Sequence, residues 1–173
     1  MAKYKIALIG AQGSGKTTKC YELAAELKKK GKDVYVLSEV ARSCPLPLNE
    51  DATEESQFWI FGKQMTREQS SRAEILMSDR TLLDPFIYGY RKYPETFKTL
   101  IPFLKMYMKR YALVVYLPPN DEYLVADGTR SINKEFRDEI DKLILHFIKE
   151  LEIKTIHIED VVPMLEELGI IKK

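Results

Sequence analysis

A glycine-rich stretch near the start of the chain carries the clearest chemistry. It reads Gly10-Ala-Gln-Gly-Ser-Gly-Lys16-Thr17 and fits the spacing G-x-x-x-x-G-K-[ST]. Glycines at this spacing let successive backbone N–H groups turn toward phosphate oxygens, and the N-terminus of a following helix adds partial positive charge. Lys16 would reach the β- and γ-phosphates of a nucleotide, and the Thr17 hydroxyl would ligate Mg²⁺. The stretch therefore predicts a phosphate-binding loop.

The flanking sequence supports this interpretation over a chance glycine-rich turn. The run from Tyr4 to Ile9 is mostly apolar and suits a buried strand, and small or apolar residues recur at helical spacing after Lys16. A strand, this loop and a helix in that order form the expected context. The residues expected to contact the nucleotide are Gly10, Gln12, Gly13, Ser14, Gly15, Lys16, Thr17 and Thr18.

A second group of polar residues follows the next predicted strand, residues 33–37. Glu39 and Arg42 come just after it, and ligands of open α/β sheets bind beyond the carboxyl ends of strands. Glu39 is a candidate base or metal-site carboxylate, and Arg42 a candidate clamp for phosphate or substrate. The alternative is an exposed polar pair.

The third predicted strand, residues 75–78, leads directly into Asp79 and Arg80. A carboxylate at a strand end beside the loop can hold Mg²⁺, and the neighbouring guanidinium can contact phosphates. A surface ion pair in a turn is the alternative. Asp84, in the first turn of the next predicted helix, is a further candidate for substrate binding.

Two further segments carry candidate substrate contacts. Gln57 and Gln64 lie on a predicted helix that is capped by Asp51 or Thr53 and runs to about Ala73. Their amides could bind a substrate or could face solvent. The polar segment of about residues 120–133 contains Gly128 beside Arg130. We expect it to be a lid that brings Arg130 onto the transferred phosphate, with a static surface loop as the alternative.

The order of predicted elements indicates the fold. Five apolar strand patterns alternate with helical patterns, including helices at about 82–93, at about 95–110 and from Asn133 onward. Buried apolar strands separated by helices are typical of a parallel sheet covered on both faces. We predict one α/β domain over residues 1–173, with three layers and strand order 2-3-1-4-5.

Composition narrows the classes of function. The chain has 27 Lys and Arg against 26 Asp and Glu, so it has no overall basic charge that would favour nucleic acid. Its apolar runs are too short to cross a bilayer, and its start does not resemble a signal peptide. We expect a cytosolic protein. The two cysteines and two histidines are isolated and receive no role.

Together these motifs resemble those of the P-loop nucleoside and nucleotide kinases. The resemblance runs from about Tyr4 to Ile158 and is greatest to the nicotinamide riboside kinase-like AAA group, with thymidylate and deoxynucleoside kinases as cousins. It rests on the phosphate-binding loop, Ser38-Glu39-Val-Ala-Arg42, Asp79-Arg80-Thr-Leu-Leu-Asp84 and Asp127-Gly-Thr-Arg130. The segments Cys44-Pro-Leu-Pro-Leu-Asn-Glu50 and Gln57-Phe-Trp-Ile60 look like a signature of one branch of ATPases and kinases.

The resemblance implies ATP- and Mg²⁺-dependent phosphoryl transfer to a small nucleoside- or nucleotide-like acceptor. It assigns Asp79 to the metal, Arg80 to a position between donor and acceptor, and Glu39 to the activation of an acceptor hydroxyl. It makes Arg130 the lid arginine. With Lys16, these residues form the candidate catalytic set.

Other functions use the same loop. A polynucleotide 5′-hydroxyl kinase would need a basic groove, which the balanced charge does not favour. An ATPase switch or regulatory module is a further alternative. A GTPase is disfavoured because Pro118-Pro-Asn-Asp121 follows the fourth strand, where a guanine-reading Asn-Lys-x-Asp stretch would stand.

Overall fold

The chain folds around a five-stranded sheet in which every pairing is parallel. The computed structural model of the protein describes residues 2–124 and 131–172. The strand order is β2-β3-β1-β4-β5, which confirms the predicted order. The strands are β1 (Tyr4–Ile9), β2 (Val34–Leu37), β3 (Ile75–Asp79), β4 (Leu113–Tyr116) and β5 (Thr155–Ile156).

Helices connect successive strands and cover both faces of the sheet. They are α1 (Lys16–Lys29), α2 (Glu54–Ser70), α3 (Leu83–Lys92), α4 (Pro94–Phe97), α5 (Ile101–Met108), α6 (Lys134–Glu150) and α7 (Val161–Glu167). Short 3₁₀ turns lie at Val40–Ser43, Asn49–Asp51, Lys98–Leu100, Asp121–Tyr123 and Ile158–Asp160. Within the described ranges, no helix combines the length and apolar character needed to span a membrane.

Alternation along the central strand separates two cores. Ala7 and Ile9 pack in a cluster with residues of α3, α5 and α6, whereas Ile6 and Leu8 pack with residues of α1 and α7. Successive side chains of a strand point to opposite faces, so a strand buried on both sides must be apolar throughout. This explains why β1 is continuously apolar from Ile6 to Ile9.

The register of the central strands positions the polar residues at one edge. Leu8 of β1 lies opposite Asp79, the last residue of β3, and the backbone N–H of Arg80 donates to the Leu8 carbonyl at 3.1 Å. The phosphate-binding loop begins directly after β1 at Gly10. The pairing of β1 with β3 therefore brings Asp79 and Arg80 beside that loop.

The prediction of one continuous helix at about 95–110 is wrong. The structure has α4, the 3₁₀ turn Lys98–Leu100 and then α5. Pro102 lies in the first turn of α5. Proline has no N–H to donate to the carbonyl four residues earlier and fits best in a first turn, so the helix restarts there. Pro94 likewise begins α4 rather than only ending the preceding helix.

The buried side of α2 is not a purely apolar stripe. Phe58 is 41% exposed and stacks on Phe97 at 4.9 Å between ring centroids. The buried positions instead include three long polar side chains at helical spacing, Gln57, Gln64 and Glu68. This helix therefore turns polar groups toward the interior, where they need partners.

Two helical glycines offer a matched test of the packing. A Cβ on Gly89 of α3 would lie 2.3 Å from Cζ of the buried Phe97 ring, whereas a Cβ on Gly62 of α2 would meet nothing within 4 Å. We expect Gly89→Ala to lower the free energy of unfolding by about 2 kcal/mol through overpacking. Gly62→Ala should raise it by about 0.5–1 kcal/mol through helix propensity. Urea unfolding of both variants measures the two changes, and a neutral Gly89→Ala would contradict the packing described here.

Candidate active site

The phosphate-binding loop has a backbone that requires glycine at its ends. Gly10 has φ 151°, and a Cβ there would lie 2.2 Å from the Leu117 carbonyl oxygen. Gly15 has φ 75° and forms the N-cap of α1. Both conformations are unfavourable for residues with a side chain. The Asn120 N–H fixes the loop further by donating to the Gly13 carbonyl at 2.8 Å.

Lys16 is folded back into this loop. Its Nζ donates to the Ala11 carbonyl at 2.6 Å and to Ser14 Oγ at 2.9 Å, and the residue is only 5% exposed. Burial, together with the nearby charge of Arg80, lowers the pKa of Lys16 to about 8. An anion in the loop would stabilise the charged form, so Lys16 is suited to bind a phosphate.

Asp79 and Thr17 fit the requirements of a Mg²⁺ site. The Thr17 hydroxyl donates to Asp79 Oδ2 at 2.5 Å, while Oδ1 is buried and has no hydrogen-bond partner among the described residues. Burial raises the pKa of this carboxyl against the opposing effect of the Lys16 charge. Magnesium binds one or two carboxylates together with hydroxyl, water and phosphate oxygens. An unpaired buried carboxylate oxygen beside a hydroxyl therefore suits the ion.

Arg80 lies at the centre of an ion-pair cluster. Its Nε donates to Glu39 Oε1 at 2.7 Å, and its Nη1 donates to Asp84 Oδ1 at 3.0 Å. Asp84 is itself held by the Thr81 N–H, which donates to its Oδ2 at 2.8 Å. Arg80 has φ 84°, a conformation that few residues with a side chain adopt. The backbone and both carboxylates thus direct its guanidinium toward the loop.

Glu39 is held as a carboxylate. Its second oxygen accepts from Arg42 Nε at 3.1 Å. Burial alone would raise the pKa of Glu39, but the charges of Arg80, Lys16 and Arg42 outweigh it, so the pKa lies below its usual value. An ionised carboxylate at the edge of the loop can accept a proton from a substrate hydroxyl.

The two predicted substrate glutamines have different surroundings. Gln57 is buried and donates to Ser56 Oγ at 3.2 Å. Gln64 uses its amide inside the fold, where Nε2 donates to Glu68 Oε1 at 2.9 Å and to Ser78 Oγ at 3.0 Å. Both line the same cavity. The Gln64 amide thereby contributes to the support of the site.

The buried hydrogen bonds of Ser78 and Glu68, which hold this part of the site, were not predicted from the sequence. Ser78 Oγ donates to the Arg80 carbonyl at 2.7 Å, and the fully buried Glu68 accepts from Lys5, Gln64, Tyr107 and Tyr111. Glu68 lies four residues after Gln64 on the same face of α2. This spacing was the one feature of the sequence that could have indicated their contact. The partners on α5 and after it cannot be identified from the periodicity of α2.

Two adjoining cavities meet at this cluster. One follows the phosphate-binding loop and is also lined by Asp79 and Tyr123. The other, larger cavity opens beside α2 and α3. Three residues line both, namely Gln12, Glu39 and Arg80. A phosphate donor in the first cavity and an acceptor in the second would therefore meet at these side chains.

The predicted lid is described only in part. The 3₁₀ turn Asp121–Tyr123 lies over the loop, where a Cβ on Gly15 would be 3.1 Å from the Tyr123 ring. Asp121 Oδ1 accepts from Arg137 Nη1 at 2.6 Å, which ties the turn to α6. Arg130 lies outside the described residues.

Comparisons with known proteins agree with this architecture. A model of the AAA domain family matches residues 5–162, whereas no curated protein sequence matches the chain significantly. Deoxyadenosine kinase from M. mycoides with bound dATP superposes with a TM-score of 0.62 at 21% identity, covering 96% of this chain and 97% of that chain.

A second solved structure is larger than this chain. NadR protein in complex with NR superposes with a TM-score of 0.70 at 23% identity, covering 92% of this chain but 46% of that chain. A NadR protein in complex with NAD and AMP-PNP has a TM-score of 0.68 at 17% identity, covering 99% of this chain and 51% of that chain. The family match spans most of the sequence, and the solved structures share its fold. The chain therefore belongs to the AAA domain family and has the fold of the P-loop nucleoside and nucleotide kinases.

Proposed function

We propose that the protein is a kinase that transfers the γ-phosphoryl group of ATP, in the presence of Mg²⁺, to a hydroxyl group of a nucleoside-like small molecule. One observation carries this proposal. The phosphate-binding cavity and the larger cavity beside α2 share Glu39 and Arg80. A carboxylate and a guanidinium thus stand where a donor phosphate and an acceptor would meet, as transfer between two bound substrates requires.

The charges of the larger cavity favour a neutral acceptor. Its described charged residues are Glu39, Asp84, Arg42 and Arg80, so two positive charges balance two negative ones. Arg80 is paired with both carboxylates, and Arg42 is paired with Glu39. A phosphate monoester carries nearly two negative charges and would need cations that are not already paired. This balance supports a nucleoside rather than a nucleotide.

The remaining walls suit a flat ring with polar edges. Apolar side chains come from Val40, Leu48, Ile60 and Pro85, and amide side chains from Asn49, Gln57 and Gln64. Apolar walls with a few polar groups are the usual lining of small-molecule sites. Deoxyadenosine kinase, which has the same fold, supports the nucleoside class.

The proposed reaction is a single displacement. The acceptor hydroxyl oxygen forms a bond to the γ-phosphorus, and the bond from that phosphorus to the β,γ-bridging oxygen breaks. ADP leaves with the electron pair, and the hydroxyl proton passes to the Glu39 carboxylate. Lys16 and Arg80 stabilise the charge on the phosphoryl oxygens, which is the main contribution an enzyme makes to this chemistry.

Two further components complete the proposal. Mg²⁺ would be held by Asp79 and Thr17, and it would neutralise charge on the β- and γ-phosphates. Arg130 would close over the transferred phosphate from the segment at about 120–133. Closure would exclude water and so limit wasteful hydrolysis.

A panel of acceptors tests the proposal. Purified protein with ATP and Mg²⁺ is incubated with nucleosides, nicotinamide riboside, the matching 5′-mononucleotides and 5′-hydroxyl oligonucleotides, and phosphate transfer is measured. We expect transfer to at least one neutral nucleoside and at least 10-fold lower kcat/KM for its monophosphate. Transfer to oligonucleotides alone would indicate the polynucleotide kinase alternative, and acceptor-independent ADP release alone would indicate an ATPase.

Lys16→Met should abolish most turnover while leaving the fold intact. The substitution keeps an unbranched side chain, one atom shorter, but removes the charge that would contact the β- and γ-phosphates. Loss of one such interaction in the transition state lowers kcat on the order of hundreds-fold. Steady-state kinetics measures the loss, and a thermal unfolding curve checks the fold. Wild-type turnover in the folded variant would contradict the assignment of this loop to the donor.

Glu39→Gln tests the proposed base. The amide cannot accept the hydroxyl proton, so we expect kcat for nucleoside phosphorylation to fall about 100-fold or more. ATP affinity should change much less, because the loop carries most of the donor contacts. Glu22→Gln, on the exposed surface of α1, is the matched control and should retain wild-type kcat. Equal losses of ATP affinity and kcat in Glu39→Gln would make this residue a binding group instead.

A further inference from the structure

We propose that Gln12 is an additional catalytic residue, whose side-chain N–H donates a hydrogen bond to the phosphoryl group during transfer. This inference rests on the proposed kinase function and adds to it a role for a side chain that the loop motif leaves variable. The motif requires only the backbone at this position.

The Gln12 amide is buried, and only one of its two polar atoms has a hydrogen-bond partner among the described residues. The residue is 3% exposed, and its Nε2 has no hydrogen-bond partner among the described residues. Buried polar groups are nearly always paired, and the exceptions in a native fold mark sites where a ligand or water completes the pairing. Gln12 lies within the phosphate-binding loop itself, so a ligand is the natural partner.

Tyr88 fixes which end of the amide is left open. The Tyr88 hydroxyl donates to Gln12 Oε1 at 3.0 Å. Arg80 lies beside the same tyrosine, with Cζ 6.0 Å from the ring centroid. Burial raises the pKa of the Tyr88 hydroxyl against the opposing charge of Arg80, so the hydroxyl keeps the proton that it donates to Oε1. The amide therefore turns its N–H₂ away from Tyr88.

Gln12, which carries this open N–H₂, lies where the two cavities join. Only Gln12, Glu39 and Arg80 line both cavities among the described lining residues. Glu39 is an acceptor and Arg80 a cation. Gln12 supplies a neutral donor at the same junction.

A neutral donor suits the chemistry at this point. In phosphoryl transfer, negative charge spreads over the three equatorial oxygens of the group in flight. A donor that is already oriented and excluded from water stabilises this charge without reorganising. Because the amide carries no charge, it adds this donor without disturbing the balanced charges around the acceptor.

A spectroscopic experiment tests the contact without requiring activity. Protein labelled with ¹⁵N-glutamine is compared in three states: free, with MgADP, and with MgADP and beryllium fluoride, which mimics the γ-phosphoryl group. Loss of one side-chain signal in Gln12→Met identifies the Gln12 pair. We expect this pair to shift when beryllium fluoride is added to MgADP. No shift at that step, or the full shift with MgADP alone, would overturn the proposal.

A kinetic comparison separates catalysis from binding. Gln12→Met keeps the shape of the side chain but has no N–H, and we expect kcat to fall about 100-fold with ATP affinity and acceptor KM within about 3-fold. Gln57→Met is the matched control, because Gln57 lines the acceptor cavity alone. That change should raise acceptor KM more than it lowers kcat. Unchanged kcat in Gln12→Met would contradict the proposed contact.

Two further variants distinguish the loss of the Gln12 contact from a folding defect. Gln12→Asn keeps the amide but shortens its reach, so it should lose kcat like Gln12→Met. Tyr88→Phe leaves Gln12 intact but releases its orientation, and it should lower kcat by a smaller factor. If no acceptor in the panel is phosphorylated, the kinase proposal fails, and the beryllium fluoride experiment still decides whether Gln12 contacts the γ-phosphoryl position.

Discussion

The ion pairs of Arg80 hold together three parts of the chain that are distant in sequence. Arg80 follows β3, Glu39 follows β2, and Asp84 lies in the first turn of α3. Buried charges are costly unless they are paired and hydrogen-bonded, so each of these groups requires the others. Since Arg80 and Glu39 line both cavities, their pairing shapes the junction between the phosphate-binding loop and the larger cavity.

The backbone at Arg80 would not remain in place without support. Its positive φ is unfavourable for a residue with a side chain, and such conformations persist where surrounding structure holds them. Here the N–H donates to the Leu8 carbonyl, and the carbonyl accepts from Ser78. Gln64 in turn donates to Ser78, which brings α2 into the same network. The pairing of β1 with β3 and the contact with α2 thus together hold Arg80 in position.

The sequence was sufficient to predict the fold and the positions of Glu39, Asp79 and Arg80. It was not sufficient to predict the buried side chains that hold these residues in place. Strand order followed from apolar runs and the rules of parallel sheets, and the convergence of Glu39, Asp79 and Arg80 followed from their places at strand ends. The break at Pro94 was predicted, whereas the break before Pro102 was missed because the apolar pattern continues across it. The pairing of Gln12 with Tyr88 joins residues 76 positions apart. Periodicity gives the face of a helix and does not identify the group that will lie opposite.

The buried contacts of Glu68 have a consequence for how this protein can vary. Through Gln64 and Ser78 they connect the amino end of β1, at Lys5, with the carbonyl of Arg80 at the opposite end of the sheet. Tyr107 and Tyr111 complete the shell around the same carboxylate. Substitutions in this shell would alter the geometry of the site from a distance. Libraries that vary the larger cavity should therefore keep this interior constant and diversify Val40, Leu48 and Ile60 instead.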